Sequence, residues 1–210
     1  MVDRKAFPLD TLGCHWRMKI WLAASLWLFY CTGYELVERY PLRSAVEFGL
    51  TPIDRWIGFS PGWIWVYESI CLMAPAIWLA TTRDEIKRYA IGFAAITMVG
   101  FSFFILWPVR CPRPDSIPAA GLYALQTRVD SPLNAFPSMH MAIAAYSACV
   151  AIGLSRGRCK RILAAGLPIW VLLIAYSALA TKQHYLVDLP PGILLGWGAH
   201  LLAFKGLRQP

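Results

Sequence analysis

Charge is what this chain has least of. Only 15% of its 210 residues are charged, against about 25% in an average soluble domain. That excludes an ordinary water-facing surface over most of the chain. No C-x-x-C pair occurs among the six cysteines, so the usual zinc and dithiol frameworks are excluded too. Cys31, Cys71 and Cys149 fall inside apolar runs, where cysteine acts as a small hydrophobe. No tandem repeat, low-complexity tract or hydrophilic stretch long enough for a soluble domain is present. The chain is basic, with 20 Lys and Arg against 12 Asp and Glu. These cations come as short clusters between apolar runs, which speaks against nucleic acid and for anionic lipid.

What fills the chain instead is apolar. Hydrophobic residues make up 58%, and the mean hydropathy is +0.49. Six runs approach the ~20 residues needed to cross a bilayer: roughly 18–36, 61–80, 89–107, 137–155, 162–181 and 189–205. The first is too long for the apolar region of a signal peptide and reads as a retained helix. The expected fold is an all-α integral membrane bundle of six transmembrane helices, in one domain spanning 1–210.

Lys and Arg alternate across the connections. One side holds Arg4, Lys5, Arg17 and Lys19, then Arg83, Lys87 and Arg88, then Arg156, Arg158, Lys160 and Arg161, then Lys205 and Arg208. The other side holds the remaining seven, among them Arg39, Arg110, Arg113 and Lys182. The positive-inside rule therefore puts both termini in the cytoplasm.

Three short segments then face outward: Cys111-Pro112-Arg113-Pro114, Pro137-Ser138-Met139-His140 and His184-Tyr185-Leu186-Val187-Asp188. Polar groups at membrane boundaries are costly and usually functional. Arg113 offers a planar guanidinium for phosphate. Ser138, with the backbone N–H groups of Met139 and His140, opens the fourth span, and a helix N-terminus is a ready anion site. His140 and His184 are a candidate acid and nucleophile. Asp188, four residues after His184, can orient that imidazole. The set suits phosphoryl chemistry on a lipid.

This pattern resembles the type 2 phosphatidic acid phosphatase superfamily, whose motifs read K-x6-R-P, P-S-G-H and S-R-x5-H-x3-D on a six-helix membrane core. Arg113-Pro114, Pro137-Ser138-Met139-His140 and His184-x3-Asp188 match. So do the flanks Asn134-Ala135-Phe136 and Thr181-Lys182-Gln183. The resemblance covers about residues 50–200, the expected catalytic core. Three positions depart: Leu106 stands for the lysine, Met139 for the glycine and Ala178 for the second arginine. Arg110 and Lys182 are the candidate substitutes for the missing cations. The departures resemble the branch that includes sphingomyelin and inositol phosphorylceramide synthases. The resemblance implies that His184 attacks phosphorus, Asp188 holds its tautomer and His140 protonates the leaving oxygen, with no metal or cofactor.

The expected activity is hydrolysis of a lipid phosphate or diphosphate at the outer face of a bacterial inner (plasma) membrane. Phosphatidic acid, phosphatidylglycerol phosphate and undecaprenyl diphosphate are the candidate classes. The alternative is transfer of a phospho-headgroup to a lipid alcohol. The expected partners are a lipid substrate and the bilayer, with no nucleic acid and no obligatory protein partner.

Other features have plainer readings. Asp188 before Leu189-Pro190-Pro191 looks like an N-cap. Gly58-Phe59-Ser60-Pro61-Gly62 fits G-x-S-x-G, but no strand–turn–helix surrounds it, so Ser60 reads as a cap. Glu68 lies inside the second span, roughly 10 Å deep, and is a candidate headgroup or gating residue. Leu122-Tyr123-Ala124-Leu125 suggests a short interfacial helix.

Overall fold

The computed structural model describes residues 13–205 apart from 41 and 73. Arg4, Lys5 and Arg208, used above to orient the chain, lie outside the described residues. Among the described residues the fold is mostly helical, with one two-stranded ladder. In chain order, α1 is Trp16–Arg39, β1 Val46–Glu47, α2 Pro52–Trp56 and α3 Ile64–Glu68, the last flanked by 3₁₀ turns that run on to Leu79. There follow α4 (Arg83–Leu106), β2 (Val109–Arg110), α5 (Leu122–Val129), α6 (Met139–Leu154), α7 (Gly157–Ala180) and α8 (Leu189–Ala203).

Among the described residues, five segments are long and apolar enough to cross a membrane: Trp16–Val37, Pro61–Leu79, Arg83–Leu106, Gly157–Ala180 and Leu186–Ala203. The expected fourth span is the shorter apolar helix α6, of 16 residues. Large apolar side chains point outward along the helices, including Trp21, Leu28, Ile91, Leu172 and Leu202. Water penalises such a surface and lipid does not.

Between the helices the packing is tight and made of small residues. Helix α6 is the central one, burying Ala142, Ala144, Ala145, Ala148 and Ala151. It lies against α8 at Gly192 and Gly196. A Cβ at Gly192 would sit 2.3 Å from the Ser138 carbonyl oxygen, and one at Gly196 would sit 2.1 Å from that of Ala142. Lipid supplies no hydrophobic drive between helices, so close backbone approach and dispersion hold such a seam. The seam also sets function, because it brings the N-termini of α6 and α8 side by side. The Ser138 N–H donates to the Asp188 carbonyl at 3.2 Å.

Helix ends follow local chemistry. Thr82 and Glu85 form a capping box on α4, which satisfies two otherwise unpaired donors. Ser138 caps α6, its Oγ accepting from the Met141 N–H. At the end of α7, Lys182 takes the left-handed conformation (φ 56°). Such a residue is a common helix stop, and here it turns the chain into Gln183 and His184. Residues 122–125 do begin a short helix, α5.

Candidate active site

The three motif segments, far apart in the chain, are laced together beyond the helix ends. Strand β1 pairs in parallel with β2. The Ala135 N–H donates to Val109 O at 3.0 Å, and the Cys111 N–H to Pro132 O at 2.7 Å. A small core forms beneath, of Val109, Cys111, Ala135 and Tyr185, with Phe48 and Phe136 against it. Cys111 and Tyr185 come from two of the segments and Ala135 from the flank of the third, so apolar packing helps assemble the polar groups.

His184 is buried at 4% exposure. Its Nδ1 lies 2.9 Å from the Ala135 carbonyl oxygen and 3.6 Å from Asp188 Oδ2. A carbonyl accepts only, so Nδ1 carries the proton and Nε2 keeps its lone pair. The backbone of the neighbouring segment therefore makes the closest contact, with Asp188 behind it. Asp188 is fully buried. Its Oδ2 accepts the Tyr185 N–H at 2.8 Å, and its Oδ1 has no hydrogen-bond partner. It stands at the N-cap position of α8 but makes no side-chain cap there. The capping reading is thus replaced by a clasp on the 184–188 turn.

His140 sits in the first turn of α6, its ring centroid 6.1 Å from that of His184. Tyr67 stacks on it at 3.9 Å, and the Tyr67 hydroxyl is 2.8 Å from its Nδ1. That leaves Nε2 as the unengaged ring nitrogen. The Ser138 Oγ and carbonyl take the N–H groups of Met141 and Ala142. The N–H groups of Met139 and His140 remain as first-turn donors without intrahelical partners. The Met139 side chain points elsewhere: it is buried, and its sulfur fills the space over Gly100 on α4.

The cations stand differently from one another. Arg113 is nearly buried and fully engaged. Its Nε and Nη2 donate to Gln183 Oε1 at 3.0 and 2.9 Å, its Nη1 to the Asp130 carbonyl at 2.8 Å, and its Nη2 to Asp130 Oδ2. Asp130 also accepts from Tyr34 and Asn134. Burial pushes the Asp130 carboxyl above its usual range, and the Arg113 guanidinium opposes that rise. Arg110 lies apart from this cluster, on the exposed side of β2, 3.4 Å from Glu47. Lys182 donates to the carbonyls of Asp54 and Ile57, both at 2.6 Å. Burial pulls its pKa down, with Asp54 opposing. The structure thus ties Lys182 to the end of α2, while Ala178 is buried in the apolar core below.

Glu68 adjoins Tyr67 and keeps one buried oxygen, Oε1, without a partner. Ser60 precedes a 3₁₀ turn with Pro61 at its first position, and its N–H donates to Ala180 O at 2.8 Å. That setting is a helix start, with no strand before it.

Four residues at the site carry no motif in the sequence: Tyr67, Asp130, Gln183 and Asp54. Asp54 is buried, and its Oδ1 takes the Leu186 N–H at 2.9 Å. Its only sequence signal is Thr51-Pro52-Ile53-Asp54, a capping box, which predicts a local role and not this tie to the His184 turn. Gln183 had its place beside His184. Asp130 and Tyr67 had none.

Comparison with known proteins agrees with the geometry. The PAP2 superfamily profile matches residues 87–209, more than half of the chain. No curated protein and no solved structure matched. Members of this superfamily are phosphatases or related phosphotransferases, and the two histidines, the carboxylate and the open helix N-terminus fit that type of chemistry. The matched span includes α6, the 184–188 turn and α8, and on that match this membrane-type helical chain belongs to the PAP2 superfamily.

Proposed function

We propose that this protein hydrolyses a phosphomonoester or diphosphate of a membrane lipid, through a phosphohistidine on His184. The observation that carries the reading is the pair of imidazoles with opposite engagements. His184 donates from Nδ1 to the Ala135 carbonyl and keeps Nε2 nucleophilic. His140 is held at Nδ1 by Tyr67 and has Nε2 available as the acid.

In the first step His184 Nε2 forms a bond to phosphorus and the bond to the leaving oxygen breaks. His140 supplies the proton that leaves with that oxygen. Asp188 offsets the positive charge that develops on the His184 ring. The N–H groups of Met139 and His140, at the positive end of α6, take up charge on the phosphate oxygens, and Arg113 adds its field. In the second step water loses a proton to His140 and attacks phosphorus, which releases phosphate and restores His184. An alcohol in place of water would make the same machinery a phosphotransferase.

The six-helix reading makes α6 the fourth span, with both termini cytoplasmic. The ends of α4 and α8 that hold Arg88 and Lys205 meet at one pole, where Arg88 donates to the carbonyls of Ala203 and Lys205. The histidines lie at the other pole, which the positive-inside rule assigns to the outer face of the inner or plasma membrane.

The test is phosphate release from phosphatidic acid, phosphatidylglycerol phosphate and undecaprenyl diphosphate by purified protein in detergent, without added metal. Release should vanish in His184→Ala. Release that survives it would remove His184 as the nucleophile. A radiolabelled product that appears only when a lipid alcohol is added would establish the transferase.

A further inference from the structure

Gln183 is almost completely buried, at 2% exposure. Its side-chain orientation follows from its neighbour. Arg113 has donors and no acceptor, and it donates through both Nε and Nη2 to the same oxygen, Oε1. The carboxamide oxygen must therefore face Arg113, and the NH2 must face away. That Nε2 is buried and has no hydrogen-bond partner in the protein. Buried donors are nearly always satisfied, so an unpartnered one points to an acceptor supplied from outside.

The surroundings identify the acceptor. Gln183 is joined directly to His184, and its backbone N–H donates to the carbonyl of Ala178 at 3.0 Å. The turn that carries the carboxamide is thus tied to Ala178, the position where the resembled motif has its second arginine. Asp130 braces the arginine that braces the amide. A network of this kind makes an oriented, uncharged donor on the residue next to His184. We propose that Gln183 is a phosphate-binding residue whose Nε2 donates to an oxygen of the phosphate held between His184 and His140. Arg113 and Asp130 then act as positioning residues for that amide. The proposal rests on the phosphoryl-transfer reading above and adds a ligand that none of the three motifs contains.

Gln183→Glu separates this role from a merely structural one. Glutamate keeps an oxygen for Arg113, so a structural role survives the change. It has no donor and places negative charge against phosphate, so a binding role is lost. The probe is orthovanadate, titrated calorimetrically into the purified full chain in detergent, together with KM and kcat on the lipid phosphate that the wild type turns over. Gln183→Glu should weaken orthovanadate binding by about 10- to 100-fold, the scale of one hydrogen bond to a charged group, with a matching rise in KM and an unchanged melting temperature. Gln183→Met, of similar length and without donor or acceptor, should lose roughly 10-fold. It carries the test alone if the glutamate variant fails to fold. Wild-type affinity in whichever variant folds would overturn the proposal, leaving the amide to water. So would a wild type that binds no orthovanadate. Phosphate release that survives His184→Ala would sink the nucleophile assignment and leave an orthovanadate effect of Gln183 standing, so the two failures are distinguishable.

Discussion

The two poles of the bundle are built on different terms. At the pole that holds Thr82, the chain closes its helix ends locally and adds a few longer ties. Thr82 and Glu85 satisfy each other's backbone donors, Arg88 pairs with Asp84 one turn away, and the same guanidinium reaches the Ala203 carbonyl. At the histidine pole the bonds are long-range and incomplete. Gln183 Nε2, Asp188 Oδ1 and Glu68 Oε1 are buried there without partners, whereas elsewhere among the described residues only Ser147 Oγ and His200 Nδ1 are in that state. Unsatisfied buried polar atoms cost stability. A pole that carries three of them around two histidines is arranged for an incoming ligand, and the pole with the Thr82–Glu85 capping box is arranged to end helices. Each pole should therefore fail in its own way when altered.

The largest effect belongs to His184. His184→Ala should cut phosphate release by roughly 1,000-fold or more, since the covalent route is removed, while the melting temperature in detergent barely changes. Loss of both together would mean that the site is also a structural keystone and would blur the contrast between poles. Next comes the seam that serves both poles. Gly196→Ala puts a methyl group 2.1 Å from the Ala142 carbonyl oxygen, and overpacking of this kind costs about 1–3 kcal/mol. Thermal unfolding should drop, with activity falling in proportion because α6 and α8 carry His140 and Asp188.

Tyr67→Phe removes the hydroxyl on His140 Nδ1 and keeps the stacked ring. It should lower kcat by about 10-fold, the worth of one such hydrogen bond, with KM little altered. A change in KM alone would mean that Tyr67 shapes substrate binding instead. Thr82→Ala should cost about 1 kcal/mol of stability through the lost cap and leave kcat and KM unchanged. An activity change there would show that the poles are coupled.

The smallest expected effect is a pH slope. The Asp130 carboxyl is raised by burial, with Arg113 opposing. A raised carboxyl binds more protons folded than unfolded, so its contribution favours the folded state at low pH and is lost as pH rises through the folded value. Arg113→Gln removes the opposing charge and should raise that value further. Its loss of stability relative to wild type should grow between about pH 4 and 7. A difference that shrinks with rising pH would mean that Arg113 is not what holds Asp130 charged.

Much of this was legible in one dimension, for physical reasons. Membrane-spanning length and hydropathy are local properties, and the helices fall close to the expected runs, with α6 shorter than the five candidate spans. Ser138 capping α6 and the nearness of Asp188 to His184 are also local, since each spans four residues or fewer. Arg110 and Lys182 mark where that reasoning stops. Spacing placed both near a phosphate, yet the fold pairs Arg110 with Glu47 at the surface and spends Lys182 on two carbonyls of the α2 segment.

The sequence by itself determined that this is an apolar helical chain whose candidate site residues gather in three short segments at the ends of apolar runs. Only the tertiary structure decided how those groups are oriented. The hydrogen bonds that do so join Tyr67 to His140, Arg113 to Gln183 and Asp54 to Leu186, across 73, 70 and 132 residues. No local pattern encodes such pairs. They exist because small residues along α6 and α8 allow two backbones to approach, and because a few apolar side chains in or beside these segments pack together.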